Sequence, residues 1–205
     1  FHRRCYKLRF EVVFKLMIRL HSILITSLLF LTVSGQWKNL ETEFSENSVF
    51  QSIYFISTSK GFVVGSNGGE GVILNTIDSG ISWSSAGING YKSFNKVCFT
   101  DLSTGYTTGV DSENKGVLLK TIDAGKQWIP LKLPGNTVFP FYNIHFIDSQ
   151  IGFVSDIHGT IYKTLDAGTT WSTLAVSSWG LGSTNALVFV DNTTGFTFGS
   201  QLQGG

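Results

Sequence analysis

The octad Thr76-Ile77-Asp78-Ser79-Gly80-Ile81-Ser82-Trp83 recurs as Thr121-Ile122-Asp123-Ala124-Gly125-Lys126-Gln127-Trp128 and as Thr164-Leu165-Asp166-Ala167-Gly168-Thr169-Thr170-Trp171. The Asp residues of successive octads are 45 and 43 residues apart. A recurrence of this length predicts stacked supersecondary units, so the fold follows from the repeat.

Each octad has the chemistry of a tight turn between two strands. An Asp two places before Gly accepts hydrogen bonds from the following amides, and Gly adopts a positive φ without steric cost. Short apolar and β-branched runs precede the octads and a Trp ends each one, so we expect a hairpin that returns an aromatic ring to the core. We assign this structural role to Thr76, Asp78, Gly80, Trp83, Thr121, Asp123, Gly125, Trp128, Thr164, Asp166, Gly168 and Trp171.

A second signature lies upstream of each octad, where an apolar strand ends in Phe and a turn leads to Gly plus an aromatic residue. It reads Ile53-Tyr54-Phe55 with Gly61-Phe62, Val97-Cys98-Phe99 with Gly105-Tyr106, Ile144-His145-Phe146 with Gly152-Phe153, and Leu187-Val188-Phe189 with Gly195-Phe196. Asp101, Asp148 and Asp191 follow the Phe by two places and are predicted turn formers. Two hairpins in about 40 to 50 residues are typical of a β-propeller blade.

The octads resemble the Asp-box, or BNR repeat, written Ser/Thr-x-Asp-x-Gly-x-Thr-Trp. Together with the Gly-aromatic strand they are most similar to the propeller of photosystem II assembly and stability factors and their relatives in non-photosynthetic bacteria, from roughly Trp37 to Gly199. The resemblance implies the fold but no particular activity, since sialidases, some endoglucanases, sorting receptors and non-enzymatic secreted propellers share the box. Gln127 stands where the box usually has Thr, so we expect a slightly weaker second turn.

We therefore predict an all-β fold, a β-propeller of four-stranded antiparallel blades that is present as an incomplete ring of about three and a half blades. The predicted blades are about residues 49–88, 93–134, 140–176 and, incomplete, 184–205. Trp37 stands 18 residues before Phe55, as Trp128 stands 18 before Phe146, so residues 36–44 are predicted to form an orphan closing strand. Closed propellers have roughly four to eight blades, so we expect the N-terminal part of a larger protein.

The first 35 residues do not share the repeat. We interpret residues 1–16 as upstream-translated sequence and residues 17–35, with their charged start, apolar centre and small exit residues, as a secretory signal peptide. The apolar run Ile23 to Val33 has 11 residues, too few to span a bilayer. An N-terminal membrane anchor over Val12 to Val33 is the alternative. We expect a secreted, periplasmic or cell-surface bacterial protein with no membrane insertion of the mature chain.

Removal of this leader changes the charge of the chain. All four Arg lie within the first 19 residues, so the part from Gln36 onward has nine Lys, thirteen acidic residues and a net charge near −4. Nucleic acid requires clustered cations, so we expect no nucleic-acid partner. Cys98 is then the only cysteine, which excludes an intrachain disulfide, and its place in a strand predicts a buried apolar role.

The resemblance to photosystem II factors also implies a partner. It implies docking to a membrane-protein assembly intermediate, partly through a basic Arg patch. Because no Arg follows residue 19, we keep the fold resemblance and do not carry over the photosynthetic role.

Candidate binding residues are the polar residues that do not recur, because a residue repeated in every unit builds the blade. They cluster in the loops between second and third strands, on the face opposite the octads, together with connector aromatics such as Tyr91 and Phe139. Convergent loops at one end of a propeller form its concave surface; ordinary solvated loop residues are the alternative. For a protein or glycan ligand we predict Asn67, Glu70, Asp111, Glu113, Asp156, His158 and Trp179.

The sequence favours a non-catalytic binding or scaffolding module, and the alternative is an Asp-box glycoside hydrolase with catalytic residues partly in missing blades. A sialidase needs clustered Arg to bind a carboxylate bidentately. Glycoside hydrolysis needs two carboxylates about 5 Å or about 6.5–9.5 Å apart, for which Asp111, Glu113 and Asp156 are candidates. No metal or cofactor is expected, since His158 beside Asp156 offers at most two ligands, and no phosphate loop, nucleophile elbow or Cys/His pair is visible.

Overall fold

The computed structural model of the chain describes residues 47–133, 139–174 and 181–201. All of them belong to one compact unit, residues 41–205. The predicted leader, the predicted strand at residues 36–44 and Trp179 lie outside the described residues.

Every regular element among the described residues is a β-strand. Three sheets each contain four antiparallel strands joined in sequence order, and a fourth sheet contains two. The all-β propeller prediction is confirmed. The strands are β1 Ser48–Phe55, β2 Gly61–Asn67, β3 Glu70–Thr76 and β4 Ser84–Ser85 in blade 1; β5 Tyr91–Phe99, β6 Gly105–Asp111, β7 Gly116–Thr121 and β8 Ile129–Pro130 in blade 2; β9 Phe141–Phe146, β10 Gly152–Asp156, β11 Ile161–Thr164 and β12 Ser172–Leu174 in blade 3; and β13 Leu181–Phe189 and β14 Gly195–Gln201 in blade 4.

The Gly that opens the second strand of each blade makes room for an aromatic ring. Phe99 ends β5 and pairs with Gly105 at the start of β6. A Cβ built on Gly105 would lie only 2.5 Å from the Phe99 ring. The same contact recurs at Gly61, Gly152 and Gly195. This packing explains why the sequence signature requires Gly between the Phe and the following aromatic residue.

The same Phe also binds each blade to the one before it. The ring of Phe99 stacks on Phe62 of blade 1 with the ring centroids 4.5 Å apart, and Phe146 stacks on Tyr106 of blade 2 at 4.2 Å. Phe62 and Tyr106 are fully buried in these contacts. The aromatic half of one signature therefore packs against the Phe half of the next, and this stack forms the core between blades.

The outer faces of blades 1 and 4 are not covered by any described element. Phe55 of β1 is 42% exposed, whereas Phe99 at the equivalent position of β5 is 7% exposed. At the other end Phe196 of β14 is 52% exposed, whereas Phe62 at the equivalent position of β2 is fully buried. The described blades thus expose both halves of the interblade stack.

No helix in the described ranges is long and apolar enough to cross a membrane.

Candidate functional site

The blades present two different ends. At one end, which we call the octad face, the octad turns lie beside the turns that join the first and second strands. The amide of Ser79 donates to the carbonyl of Ser59 at 2.9 Å, and Ala124 donates to Ser103 at 2.8 Å. At the other end, the loop face, lie the turns between second and third strands and the connectors between blades.

The first octad is a closed network of hydrogen bonds. The Thr76 hydroxyl donates to Asp78 Oδ1 at 2.7 Å and accepts the amide of Gly80 at 2.9 Å. Asp78 also accepts the amide of Ser82 at 2.9 Å and the Ser82 hydroxyl at 2.6 Å. Gly80 has φ +86°, and Ser79 before it has φ +64°, a second left-handed residue that sequence reasoning does not anticipate. The carboxylate and the Thr hydroxyl together define this turn.

The other two octads repeat this network with one difference. In the third octad Asp166 accepts both the amide and the hydroxyl of Thr170, at 2.8 and 2.6 Å. In the second octad Asp123 accepts the Thr121 hydroxyl at 2.8 Å, but from Gln127 it accepts only the amide, at 3.0 Å, because Gln has no hydroxyl to donate. The departure at Gln127 therefore removes one hydrogen bond from that turn.

The pKa values of the octad carboxyls follow the same pattern. Hydrogen bonds from the Ser82 hydroxyl and amide lower the pKa of Asp78 from 3.8 to about 2, and those from the Thr170 hydroxyl and amide lower the pKa of Asp166 to about 2. The pKa of Asp123 is also lowered, chiefly by the Gln127 amide. Donors that stabilise the ionised form account for each shift.

The octad tryptophans differ in burial: Trp171 lies in a core cluster, Trp128 packs against another, and Trp83 is half-buried. The indole Nε1 of Trp83 donates to the carbonyl of Gly80 at 3.2 Å, and that of Trp171 donates to Gly168 at 3.1 Å. Trp128 differs, since its buried Nε1 has no partner among the described residues. Its ring still packs edge-on against Phe99, with the centroids 6.1 Å apart.

The turns between first and second strands complete the octad face. Asp101 Oδ1 accepts the amides of Ser103 and Thr104, both at 2.7 Å. Asp191 accepts the equivalent amides of Thr193 and Thr194. The Ser103 hydroxyl and amide lower the pKa of Asp101 to about 2. These carboxylates therefore stabilise turns, as the recurrence predicts.

Two of the predicted binding residues on the loop face have turn-forming bonds of their own. Asp111 Oδ1 accepts the amides of Glu113 and Lys115 at 2.9 and 2.8 Å, and Asp156 Oδ1 accepts those of His158 and Thr160 at 2.9 Å each. Asp111 and Asp156 thus occupy equivalent positions, although the sequence analysis treats them as non-recurring. Both carboxylates stabilise their own turns, and Asp156 is only 2% exposed.

The other predicted residues are distributed along the same face. Asn67 Oδ1 accepts the Ser48 hydroxyl at 3.1 Å. Glu113 forms an ion pair with Lys115 at 2.6 Å, between two exposed side chains. The ring of His158 lies against that of Phe139, with the centroids 4.2 Å apart. Ligand binding by these residues stays a prediction.

Glu70 is different because it lines a pocket. The pocket has a volume of about 520 Å³ and lies on the loop face between blades 1 and 2. Sequence reasoning selects Glu70 and points to Tyr91 but misses Ile88, Lys92 and Ser112. The signal in the sequence that could have identified these residues is the glycine content of the two segments that form the rim of the pocket. The lining residues are Gly69, Glu70, Gly71, Ile88, Asn89, Gly90, Tyr91, Lys92 and Ser112.

Neither metal binding nor thiol chemistry has support in the described ranges. They contain no group of three His, Cys, Asp or Glu side chains placed to hold a metal ion. His145 Nε2 instead lies 3.0 Å from the carbonyl of Phe189 in the next blade. Cys98 packs against the core, and burial of its thiol raises the pKa to about 12, which leaves it protonated and unreactive.

Comparison with known proteins gives one family match. A family model described as photosynthesis system II assembly factor YCF48 matches residues 30–191. No curated protein matches the sequence significantly.

Several solved structures share the fold. A structure of YCF48 bound to D1 peptide is 23% identical with a TM-score of 0.57, covering 71% of this chain and 46% of that chain. YCF48 from Cyanidioschyzon merolae is 21% identical with a TM-score of 0.50, covering 66% of this chain and 41% of that chain. A GH74 xyloglucanase from Xanthomonas campestris is 16% identical with a TM-score of 0.56, covering 72% of this chain and 26% of that chain. These likenesses establish the fold, and the chain spans less than half the length of each of these relatives.

Proposed function

The chain belongs to the photosynthesis system II assembly factor YCF48 family, and on that premise we propose that it is a non-catalytic binding module that takes a segment of a partner protein on its loop face. The observation that carries this proposal is the pocket of about 520 Å³ on that face. Its volume lies within the range of about 300–1,000 Å³ that is typical of ligand sites.

A difference in side-chain hydrogen bonding between the two faces supports the same assignment. Every octad carboxylate is engaged in hydrogen bonds within its own turn. Glu70 on the pocket rim is exposed, and its side chain has no hydrogen bond or ion pair to any described residue. A side chain without a structural duty is free to contact a ligand. A protein partner is also in keeping with one related structure, that of YCF48 bound to D1 peptide.

Glycoside hydrolysis has less support than protein binding. Asp111 and Asp156 each use Oδ1 to hold two backbone amides, and Glu113 is paired with Lys115. A catalytic pair needs one carboxyl free to donate a proton and another free to attack or to activate water. The GH74 likeness concerns the fold only.

Export of the chain is part of the proposal and rests on the sequence of residues 17–35. Expression of the full chain in a bacterium should yield a processed protein that begins near Gln36 and is recovered outside the cytoplasm. N-terminal sequencing of the fractionated protein checks this. An uncleaved chain in the membrane fraction would instead support the anchor.

Binding is best tested with two ligand classes side by side. The immobilised chain is panned against a displayed library of random heptapeptides and, separately, against a glycan array. We expect peptides to be enriched and glycans to give no dose-dependent binding.

A matched pair of variants locates the binding site. Asn89→Trp puts an indole into the pocket from an exposed lining position, and Ile122→Trp adds bulk on the octad face, where Ile122 is 66% exposed. Loss of peptide binding in Asn89→Trp alone would support the proposal. Glycan binding alone, or loss of peptide binding only in Ile122→Trp, would overturn it.

A further inference from the structure

The shape of the pocket follows from glycines in its rim. Asn67 pairs with Glu70 across a two-residue turn, in which Gly68 and Gly69 have φ +59° and +88°. A Cβ built on Gly69, or on Gly90 across the pocket, would meet no atom within 4 Å. The rim therefore presents bare backbone to open space, and a ligand main chain can approach it closely.

Residues at the start of β5 pack on Gly71, which lines the pocket. A Cβ on Gly71 would lie 3.1 Å from Tyr91 Cβ and 3.1 Å from the Phe94 ring, so β5 packs directly on this glycine. The rings of Tyr91 and Phe94 are 5.2 Å apart. Ile88 adds an aliphatic wall. Tyr91 and Ile88 thus give the pocket one aromatic and one aliphatic lining side chain.

In the next blade, a Cβ built on the equivalent glycine, Gly116, would clash with the carbonyl oxygen of Phe139 and the ring of Phe141. The chain thus passes closer to the glycine there. The open pocket described here lies at the junction between blades 1 and 2.

Two charged side chains line the pocket, Glu70 and Lys92, and of the two only Lys92 has a side-chain partner in the described ranges. The ammonium of Lys92 is held by Asn114 Oδ1 at 2.8 Å, in the same turn as Asp111. Glu113 is neutralised by Lys115. The Glu70 side chain has neither an ion pair nor a hydrogen bond within the described ranges. Because the Lys92 ammonium is already engaged by Asn114, the charged group that is open to a ligand is the Glu70 carboxylate, which favours a cationic ligand.

From this arrangement we propose that the pocket between blades 1 and 2 binds a lysine or arginine side chain in an extended segment of the partner protein. The inference rests on the proposed function and names the chemistry of its ligand. The cationic head pairs with the Glu70 carboxylate in a charge-assisted hydrogen bond. The aliphatic stem lies against Ile88 and the ring of Tyr91, in the manner of long basic side chains on apolar surface. The glycine rim receives the peptide backbone on either side.

The test uses the heptapeptides enriched by panning and the full chain. We expect Lys or Arg at one fixed position of those peptides. Replacement of that residue by norleucine, which keeps the stem and removes the charge, should weaken binding about tenfold or more. Isothermal titration calorimetry measures each affinity.

Two variants of the chain complete the test. Glu70→Gln keeps the shape of the side chain and should weaken the basic peptide about tenfold while leaving the norleucine peptide unchanged. Gln127→Lys on the octad face makes the same change in net charge and should leave both affinities unchanged. Glu70→Lys should restore affinity for a peptide whose basic residue is replaced by Glu.

The outcomes separate this inference from the proposed function. Peptides that bind the pocket without preference for a basic residue, or that bind Glu70→Gln as tightly as the parent chain, would overturn the inference and leave the proposed function standing. Failure to find any peptide whose binding is lost in Asn89→Trp would overturn both.

Discussion

The octad face and the loop face are made by the same blades, but the turns of successive blades are more alike on the octad face than on the loop face. On the octad face three turns share one hydrogen-bond network, in which a Thr hydroxyl and an Asp carboxylate bind the same backbone amides each time. On the loop face Asn67 accepts a side-chain hydroxyl, whereas Asp111 and Asp156 bind backbone amides. One junction there is an open pocket.

The difference teaches where this fold can vary. Octad turns contact the neighbouring blade, because Gly125 packs on Phe62 and Gly168 on Tyr106. A change there disturbs the interblade core. The loop-face glycines Gly69 and Gly90 face open space, so changes there alter the surface without disturbing the core.

The largest expected effect is the difference in unfolding free energy between two Gly→Ala substitutions, one on each face. Gly125→Ala places an L-residue at φ +81° and drives its Cβ into the Phe62 ring. The left-handed backbone costs about 1–2 kcal/mol, and overpacking adds about 1–3 kcal/mol. Gly69→Ala at φ +88° has the backbone cost only, because its Cβ meets nothing. Urea unfolding of both variants measures the difference, and equal losses of stability would contradict the comparison.

Acid should weaken the octad face. The pKa values of Asp78, Asp101, Asp166 and Asp191 are all lowered to about 2 in the folded chain. Folding therefore favours their ionised forms, and this stabilisation is complete above the unfolded pKa near 3.8 and is lost as the pH falls toward 2.

We expect the melting temperature to fall steeply between about pH 4 and pH 2. Asp166→Asn should be less stable at neutral pH and should lose less stability across that range than the parent chain. An unchanged pH dependence in Asp166→Asn would show that this carboxylate does not contribute. Thermal scans monitored by circular dichroism at several pH values make the measurement.

The smallest expected effect is a repair of the second octad. Gln127→Thr supplies the hydroxyl that Thr170 donates to Asp166 in the third octad. We expect a small rise in melting temperature and a further fall in the pKa of Asp123, because a hydroxyl donor also lowers the pKa of Asp78 and Asp166. Carboxyl carbon chemical shifts during an NMR pH titration measure that pKa. No shift in the pKa would mean that the introduced hydroxyl does not reach the carboxylate.

The fold is predictable from the sequence because its determinants are local and recur. The octad turn is closed by residues within eight positions of one another, and the Phe and Gly of the second signature are paired neighbours in one hairpin. The sequence does not show why that Gly is needed. The Phe99 ring occupies the space that a Cβ on Gly105 would need, and this conflict is visible only in the folded chain.

The candidate site is only partly predictable for a similar reason. Asp156 follows Gly152 by four residues, whereas Asp111 follows Gly105 by six, so a count along the chain hides their equivalence. The pocket is a gap between a turn of blade 1 and a connector of blade 2. The width of such a gap depends on packing at Gly71 and not on any motif. Glu70 is found from sequence because it is a charged residue outside the repeat, and Lys92 and Ser112 are missed.

The central claim is that the recurring octads build the blades and the loop face binds the partner. Its most direct test measures melting temperature and peptide affinity together in two variants, Asp123→Ala on the octad face and Asn89→Trp in the pocket. We predict that Asp123→Ala lowers the melting temperature and binds peptide as the parent does at temperatures where it is folded. Asn89→Trp should melt like the parent and lose the peptide. Loss of binding in Asp123→Ala with unchanged melting would contradict the account.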